Sequence, residues 1–75
     1  MIIKILGSGC RKCVALGENA EAAAAAAGKS AEIVKVTDFA EIARYGVMST
    51  PGLVIDEKLI SSGKVLTPQE IARLL

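Results

Sequence analysis

Residues 7–13 read Gly7-Ser8-Gly9-Cys10-Arg11-Lys12-Cys13 and contain the only two cysteines of this 75-residue chain. The stretch joins an apolar, strand-like run at residues 2–6 to a helix-like run, so Cys10 is expected at a helix N-terminus. Free backbone N–H groups and the helix dipole favour negative charge there, and Arg11 and Lys12 add two cations. We therefore expect Cys10 to ionise more easily than a free cysteine, whose pKa is about 8.5. Alternatively, the two cations are exposed first-turn residues that keep the protein soluble.

The spacing of the two cysteines predicts a reversible disulfide. Residues three apart lie on one face of a helical turn, so the sulfurs of Cys10 and Cys13 can meet. So small a loop stabilises the fold by less than the roughly 3 kcal/mol expected for a loop of about 15 residues. We interpret the pair as redox-active, with one thiol that attacks a disulfide and one that resolves the intermediate. No cofactor is expected beyond this reversible disulfide.

Composition narrows the classes of partner. The net charge is +1 with interspersed signs, and one Phe, one Tyr and no Trp provide no aromatic platform for bases. We expect neither a nucleic-acid nor a membrane partner. The absence of histidine excludes imidazole catalysis and mixed Cys/His zinc sites, and two thiolates fall short of the four ligands of a structural zinc. A monomer that acts on a protein disulfide substrate and is recycled by an upstream reductase is expected instead.

Length and the first residues predict the domain organisation and the compartment. The sequence is strand-like from Met1, without a charged leader or an apolar run of about 18 or more residues. We expect a soluble, cytoplasmic protein, a setting in which cysteines are more often catalytic or metal-binding than structural. A chain this short buries only about 60% of its unfolded surface, so residues 1–75 are expected to form one domain.

Hydrophobic patterning and capping signals predict seven elements in the order β, α, β, α, β, β, α, which indicates an α/β fold. The expected elements are a strand at 1–6, a helix at 14–27 stopped by Gly28, a strand at 32–36, a short helix from Asp38 to Gly46, strands at 53–56 and 59–62, and a helix opened by Thr67-Pro68-Gln69-Glu70. The first strand is expected to be buried on both faces except at Lys4. The apolar positions expected to face the core are Phe39, Ile42 and Ala43 in the short helix, and Ile71, Leu74 and Leu75 in the last.

Three features together resemble the thioredoxin-like superfamily, and within it the very short thioredoxin/glutaredoxin-like redox-active disulfide proteins. They are Cys10-Arg11-Lys12-Cys13 after the first strand, Thr50-Pro51 before a strand, and Gly63 near the end of the last strand. The resemblance covers essentially the whole chain. It implies a minimal thioredoxin-like fold, with a four-stranded mixed sheet flanked by three helices, and thiol–disulfide oxidoreductase activity with Cys10 and Cys13 as the catalytic pair.

The resemblance also implies a substrate-binding role for Thr50 and Pro51. Pro51 would follow a cis peptide bond and pack against the cysteine pair, and Thr50 would offer its backbone to a bound peptide. An X-Pro bond costs only about 0.5 to 1 kcal/mol to hold in the cis form. The alternative is an ordinary trans Pro51 at the start of an edge strand.

One departure from the family pattern concerns the proton chemistry. Typical thioredoxins keep a buried acid six residues before the first cysteine, where this chain has Lys4. Water or a different carboxylate must then accept the proton of Cys13.

Two other functions use the same residues. A Cys-x-x-Cys pair after the first strand also resembles heavy-metal-associated copper chaperones, so Cys10 and Cys13 would carry Cu(I) or another soft metal. The third possibility is a non-catalytic thioredoxin-like interaction module in which Pro51 serves only the fold.

Overall fold

The protein, represented by a computed structural model, is described at residues 1–7, 9, 11–47 and 49–75. The expectations that rest on Cys10 therefore lie outside the described residues. The predicted order of elements is confirmed. The elements are β1 (Ile2–Leu6), α1 (Arg11–Ala26), β2 (Glu32–Val36), α2 (Phe39–Arg44), β3 (Gly52–Ile55), β4 (Lys58–Ser62) and α3 (Pro68–Ala72).

The four strands form one mixed sheet in the order β2-β1-β3-β4. β1 is parallel to β2 through the α1 crossover and antiparallel to β3, and β3 and β4 form an antiparallel hairpin. Leu6, the last residue of β1, pairs with Gly52, the first residue of β3. This register brings the chain after β1 and the chain before β3 to the same end of the sheet, which is where α1 begins.

α1 begins earlier than predicted, at Arg11 instead of residue 14, because the cysteine stretch itself contributes the first turn. Gly28 ends the helix as predicted: its φ is +67°, and the N–H groups of Gly28 and Lys29 donate to the carbonyls of Ala25 and Ala24. This pattern is the Schellman motif. α1 has 16 residues, and none of the described helices has both the length and the apolar character to cross a bilayer.

The larger part of the core lies between the sheet and the helices α1 and α3, which we call the α1/α3 side. Its buried residues are Ile3, Ile5, Leu16, Ala20, Ala23, Leu53, Ile55 and Ile71. α3 opens with the predicted capping box, in which Thr67 and Glu70 each accept a hydrogen bond from the other's backbone N–H. The inward orientation of Ile71 is confirmed and Leu75 packs partly against this core, but the prediction for Leu74 is wrong, since it is 47% exposed.

The opposite side of the sheet, which we call the α2 side, has a smaller core of Leu6, Ile42, Val47 and Val54. The predicted apolar stripe of α2 is wrong at Phe39, which is 73% exposed, and at Ala43, which is also exposed. α2 has only six residues, so Ile42 is its one buried residue, and Val47 after the helix supplies the next apolar contact.

Two further details differ from the predictions. Ile2 is 41% exposed, so β1 is not buried on both faces at its start. The hairpin turn is formed by Asp56 and Glu57, one residue earlier than predicted, with φ values of 48° and 69°. Positive φ at both central residues is the feature of a type I′ turn, whose twist matches that of the flanking strands.

Candidate active site

The candidate site lies at the end of the sheet where β1 finishes and β3 begins. Gly7 follows β1 directly, and its N–H donates to the carbonyl of Val36 at 2.9 Å, which fixes this backbone to β2. Cys13 lies in the first turns of α1 and is only 4% exposed. The buried strand end and the helix N-terminus thus hold the second cysteine inside the molecule.

Cys13 packs directly against Gly7. A Cβ atom placed on Gly7 would overlap Cys13 Sγ, would lie 3.3 Å from Cys13 Cβ and would lie 3.6 Å from Thr50 Cβ. The sulfur therefore occupies the space that a side chain at position 7 would fill. Thr50, the residue before the proline, thus also lies close to Gly7.

The Thr50–Pro51 peptide bond is cis, as the resemblance predicted. Pro51 is buried and Thr50 is exposed. The Pro51 carbonyl accepts a hydrogen bond of 2.8 Å from the N–H of Gly63, and a Cβ on Gly63 would lie 3.0 Å from Ser49 Cβ. Gly63 has a φ of +71°, a conformation that glycine adopts without steric cost. The cis-proline loop is thus held between Gly63 and the Gly7–Cys13 contact.

Arg11 and Lys12 are both exposed on the first turn of α1. Their exposure fits a role beside the thiol as well as a role in solubility. A pKa-tuning role for the two side chains stays a prediction, as does the catalytic role of Cys10.

Sequence reasoning missed Gly7 as a site residue. Of Gly7 and Gly9, only Gly9 has a positive φ, of +85°, whereas Gly7 lies outside the left-handed region. Gly7 therefore lacks a side chain for reasons of space and not of backbone conformation. The available signal was its position directly after a buried strand and six residues before Cys13.

A small cavity of about 40 Å³ adjoins Cys13 on the α1/α3 side of the sheet. Gly7, Val14 and Thr37 are among its lining residues, and none of the lining residues is an acid in the part of the chain that the structure describes. The cavity is large enough for about one water molecule. The acceptor of the Cys13 proton stays a prediction, with water as one of its two options.

Lys4, at the position where the resemblance led us to expect an acid, belongs to a polar cluster on the α2 side. Its ammonium group donates to Glu57 Oε1 at 2.7 Å and to Tyr45 Oη at 2.8 Å, and Tyr45 Oη donates to Glu57 Oε2 at 2.9 Å. The hydrogen bond to Glu57 is the main cause that raises the pKa of Lys4, and the same bond lowers the pKa of Glu57. The Glu57 carboxylate is thus engaged by a cation on the side of the sheet opposite α1.

The soft-metal alternative rests on two thiolates, of which Cys10 lies outside the described residues. Within residues 1–7, 9, 11–47 and 49–75, no three side chains of the His, Cys, Asp and Glu types come together as a metal-binding group. A two-thiolate site at Cys10 and Cys13 has fewer ligands than such a group and stays a prediction.

A family model of the thioredoxin domain matches residues 1–75. The chain belongs to the thioredoxin family. It is similar to a thioredoxin of Methanocaldococcus jannaschii, with 44% identity over 71 residues that cover 95% of this chain and 81% of that protein. It is also similar to a thioredoxin of Methanothermobacter thermautotrophicus, with 36% identity over 75 residues that cover 100% of this chain and 97% of that one. Membership of the thioredoxin family supports a thiol–disulfide oxidoreductase in general terms.

Proposed function

We propose that this thioredoxin-family protein reduces or exchanges disulfides in a protein partner, with Cys10 as the attacking thiol and Cys13 as the resolving thiol. The observation that carries the proposal is the packing of buried Cys13 against Gly7, whose Cβ position lies 3.6 Å from Thr50 Cβ, beside the cis Thr50–Pro51 bond. This arrangement supports a disulfide-exchange site at the N-terminus of α1.

The proposed reaction has two steps. The Cys10 thiolate attacks one sulfur of the substrate disulfide, whose S–S bond breaks and releases a first substrate thiolate that takes up a proton. Cys13 gives up its proton and attacks the Cys10 sulfur of the mixed disulfide, which forms the Cys10–Cys13 disulfide and releases the second substrate thiolate. Two electrons pass from the dithiol to the substrate. An upstream dithiol reductase returns them to the pair.

Thr50 and Pro51 form the proposed binding surface for the substrate. Thr50 is exposed while Pro51 is buried, so position 50 is accessible on a loop whose next residue is anchored. The Gly63 hydrogen bond to the Pro51 carbonyl supports this anchoring. An extended substrate segment would pair with the Thr50 backbone and bring its disulfide to the N-terminus of α1.

Reduction of insulin disulfides, with dithiothreitol as the electron source, tests the catalytic roles. We expect Cys10→Ser to abolish turnover and Cys13→Ser to accumulate a mixed disulfide between Cys10 and insulin, because attack survives and resolution does not. A parent chain that fails to accelerate the reaction would refute the proposal. Tight binding of one Cu(I) ion by such an inactive chain would favour the carrier, and partner binding that survives Cys10→Ser would favour the interaction module.

Alkylation of Cys10 as a function of pH tests the roles of Arg11 and Lys12. In a Cys13→Ser chain, we expect Lys12→Gln to move the midpoint of the alkylation profile upwards, because a nearby cation stabilises the thiolate. The shift should shrink in high salt, since the side chain is exposed. Lys29→Gln is the matched control, because it removes one cation just beyond the other end of α1. Equal shifts in the two variants would assign Lys12 to solubility alone.

A further inference from the structure

We infer that Gly7 is a positioning residue for Cys13, and the inference rests on the proposed function. Because Gly7 has no side chain, the sulfur of the resolving cysteine fits into the space beside it, which we call the seat of the sulfur. Gly7 is held by its hydrogen bond to Val36 and is buried at the end of β1. Its backbone therefore has little freedom to move away from α1. The sulfur of Cys13 fills the position where any other residue would place its Cβ.

A side chain at position 7 would be crowded by more than the sulfur. Its Cβ would lie 3.3 Å from Cys13 Cβ, a contact tighter than most, and 3.6 Å from Thr50 Cβ. A cysteine side chain has a single rotatable bond to its sulfur, so a methyl group at position 7 forces Sγ into another rotamer. Gly7 thus permits the rotamer in which Sγ occupies the space beside it.

This placement matters for the resolving step. Intramolecular attack is efficient when the reacting atoms are held about 3 to 3.5 Å apart, and a misplacement of about 1 Å can reduce the rate about 100-fold. A displaced Cys13 sulfur would attack the mixed disulfide more slowly. Gly7 would therefore influence the rate of the reaction without touching the substrate.

Gly52 provides a matched control at the same end of the sheet. A Cβ on Gly52 would also be crowded, but by Val47 Cγ2 at 3.1 Å and by Leu6 at 3.3 Å, both apolar side chains on the α2 side. Gly52→Ala therefore introduces a steric perturbation that is milder than the overlap at Gly7 and does not involve the sulfur. Any effect specific to Cys13 should be seen with Gly7→Ala and not with Gly52→Ala.

A thermal double-mutant cycle tests the seat directly. We measure the loss of Tm caused by Gly7→Ala in two reduced chains, one with Cys10→Ser and one with both Cys10→Ser and Cys13→Ala. We expect the loss to be larger by about 5 °C or more in the first chain, which keeps the Cys13 sulfur. Gly52→Ala should lower Tm equally in both chains. Equal effects of Gly7→Ala in both chains would overturn the inference. If the Gly7→Ala variant does not fold, we expect the additional substitution Cys13→Ala to restore folding, because it removes the overlapping sulfur. Failure of this double variant to fold would overturn the inference as well.

Two chemical measurements then test positioning. In the Cys10→Ser chain, we expect Gly7→Ala to speed the reaction of Cys13 with iodoacetamide about tenfold, because the sulfur leaves its buried seat, and Gly52→Ala to change the rate much less. In the chain with both cysteines, Gly7→Ala should slow insulin reduction and accumulate the mixed disulfide, and unchanged turnover would overturn the positioning role. The Tm cycle and the alkylation rates do not depend on turnover, so they test the Gly7–Cys13 contact even if the chain has no reductase activity. A parent chain without reductase activity would refute the proposed function separately.

Discussion

The two sides of the sheet are stabilised in different ways. Among the described residues, the apolar cluster of the α1/α3 side contains eight buried residues beneath a helix of 16 residues and a capped second helix. The cluster of the α2 side contains four beneath a helix of six residues, and this side adds the Lys4–Tyr45–Glu57 cluster. The first side has the larger apolar cluster and a hydrogen bond from Asn19 Nδ2 to the Leu66 carbonyl, whereas the second has a smaller cluster and a hydrogen-bonded network that joins β1, the C-cap of α2 and the β3–β4 turn.

The two sides of the sheet also contribute different residues to the region of the candidate site. Cys13 belongs to the helix of the larger core, whereas Val47, shortly before the cis-proline loop, belongs to the smaller core. The cysteine is thus carried by the side with more apolar burial. The cis-proline loop follows a residue of the side with less apolar burial, and the following predictions test this difference.

The largest expected effect comes from truncation of the two cores. Leu16→Ala, at a fully buried position on the α1/α3 side, should lower the free energy of unfolding by about 3 to 5 kcal/mol. Ile42→Ala on the α2 side should cost about 2 kcal/mol, because a six-residue helix can shift to fill the space. Urea unfolding of both variants measures the difference. Equal losses would show that the two sides stabilise the fold equally.

The next effect concerns the start of α3, which closes the larger core. Thr67→Ala removes the hydroxyl that accepts the Glu70 N–H at 3.1 Å, so we expect a loss of about 1 kcal/mol. Thr67→Ser is the control, because it keeps the hydroxyl and should retain most of the stability. A similar loss in both variants would mean that the Thr67 methyl group, and not the cap, is responsible.

A smaller, stabilising effect is expected on α1. A Cβ on Gly17 would meet Ile5 Cγ1 at 3.9 Å, which is an ordinary van der Waals distance. Gly17→Ala should therefore raise the free energy of unfolding by about 0.5 to 1 kcal/mol, because alanine is the better helix former. Ala22→Gly, at an exposed position of the same helix, should have the opposite effect. Destabilisation by Gly17→Ala would show that the packing of α1 on β1 requires glycine.

The smallest effect is a change in pH dependence on the α2 side. The pKa of Glu57 is lowered from 4.5 by its hydrogen bond to Lys4, so its contribution to stability is fully present above about pH 4.5. That contribution is lost as the pH falls through the lower pKa of the folded state. Glu57→Gln should therefore reduce stability at pH 7 and flatten the acid branch of the urea midpoint plotted against pH. An unchanged acid branch would contradict this assignment.

Glu21→Gln, at an exposed carboxylate on α1, is the matched control for this measurement. It removes the same charge outside the cluster and should leave the acid branch nearly unchanged. For Lys4 the sign is opposite, because its pKa is raised: its contribution is present below its ordinary value of 10.5 and is lost only as the pH rises through the higher value of the folded state. Lys4 therefore remains charged, and the pair intact, at neutral pH.

Features set by a few neighbouring residues were predictable from the sequence. Gly28 ends α1 because glycine adopts the left-handed conformation of a helix stop, and Thr67 with Glu70 forms the capping box at their characteristic spacing. The cis bond before Pro51 came from the family resemblance. For the helix stop and the capping box, a short motif contains the physical cause.

Features that depend on contacts across the fold were not predictable. The exposure of Phe39 and Leu74 depends on how far the sheet extends beneath each helix, which helical periodicity alone does not encode. Lys4 was recognised as a misfit, but its partner Glu57 lies 53 residues away in sequence. The Gly7–Cys13 contact likewise depends on how closely α1 approaches the end of β1. Each of these is set by the relative placement of whole elements.

The turn between β3 and β4 makes conflicting demands on Glu57. Its φ of 69° is a value that glycine or asparagine adopts readily and a long side chain does not, whereas Lys4 needs the carboxylate at this position. Such a position is locally frustrated, since the backbone and the side chain favour different amino acids. An idealised Asn-Gly hairpin would relax the backbone here but would leave the Lys4 ammonium with Tyr45 as its remaining hydrogen-bond partner of this cluster. Sequence redesign of this turn would therefore need to alter position 4 at the same time.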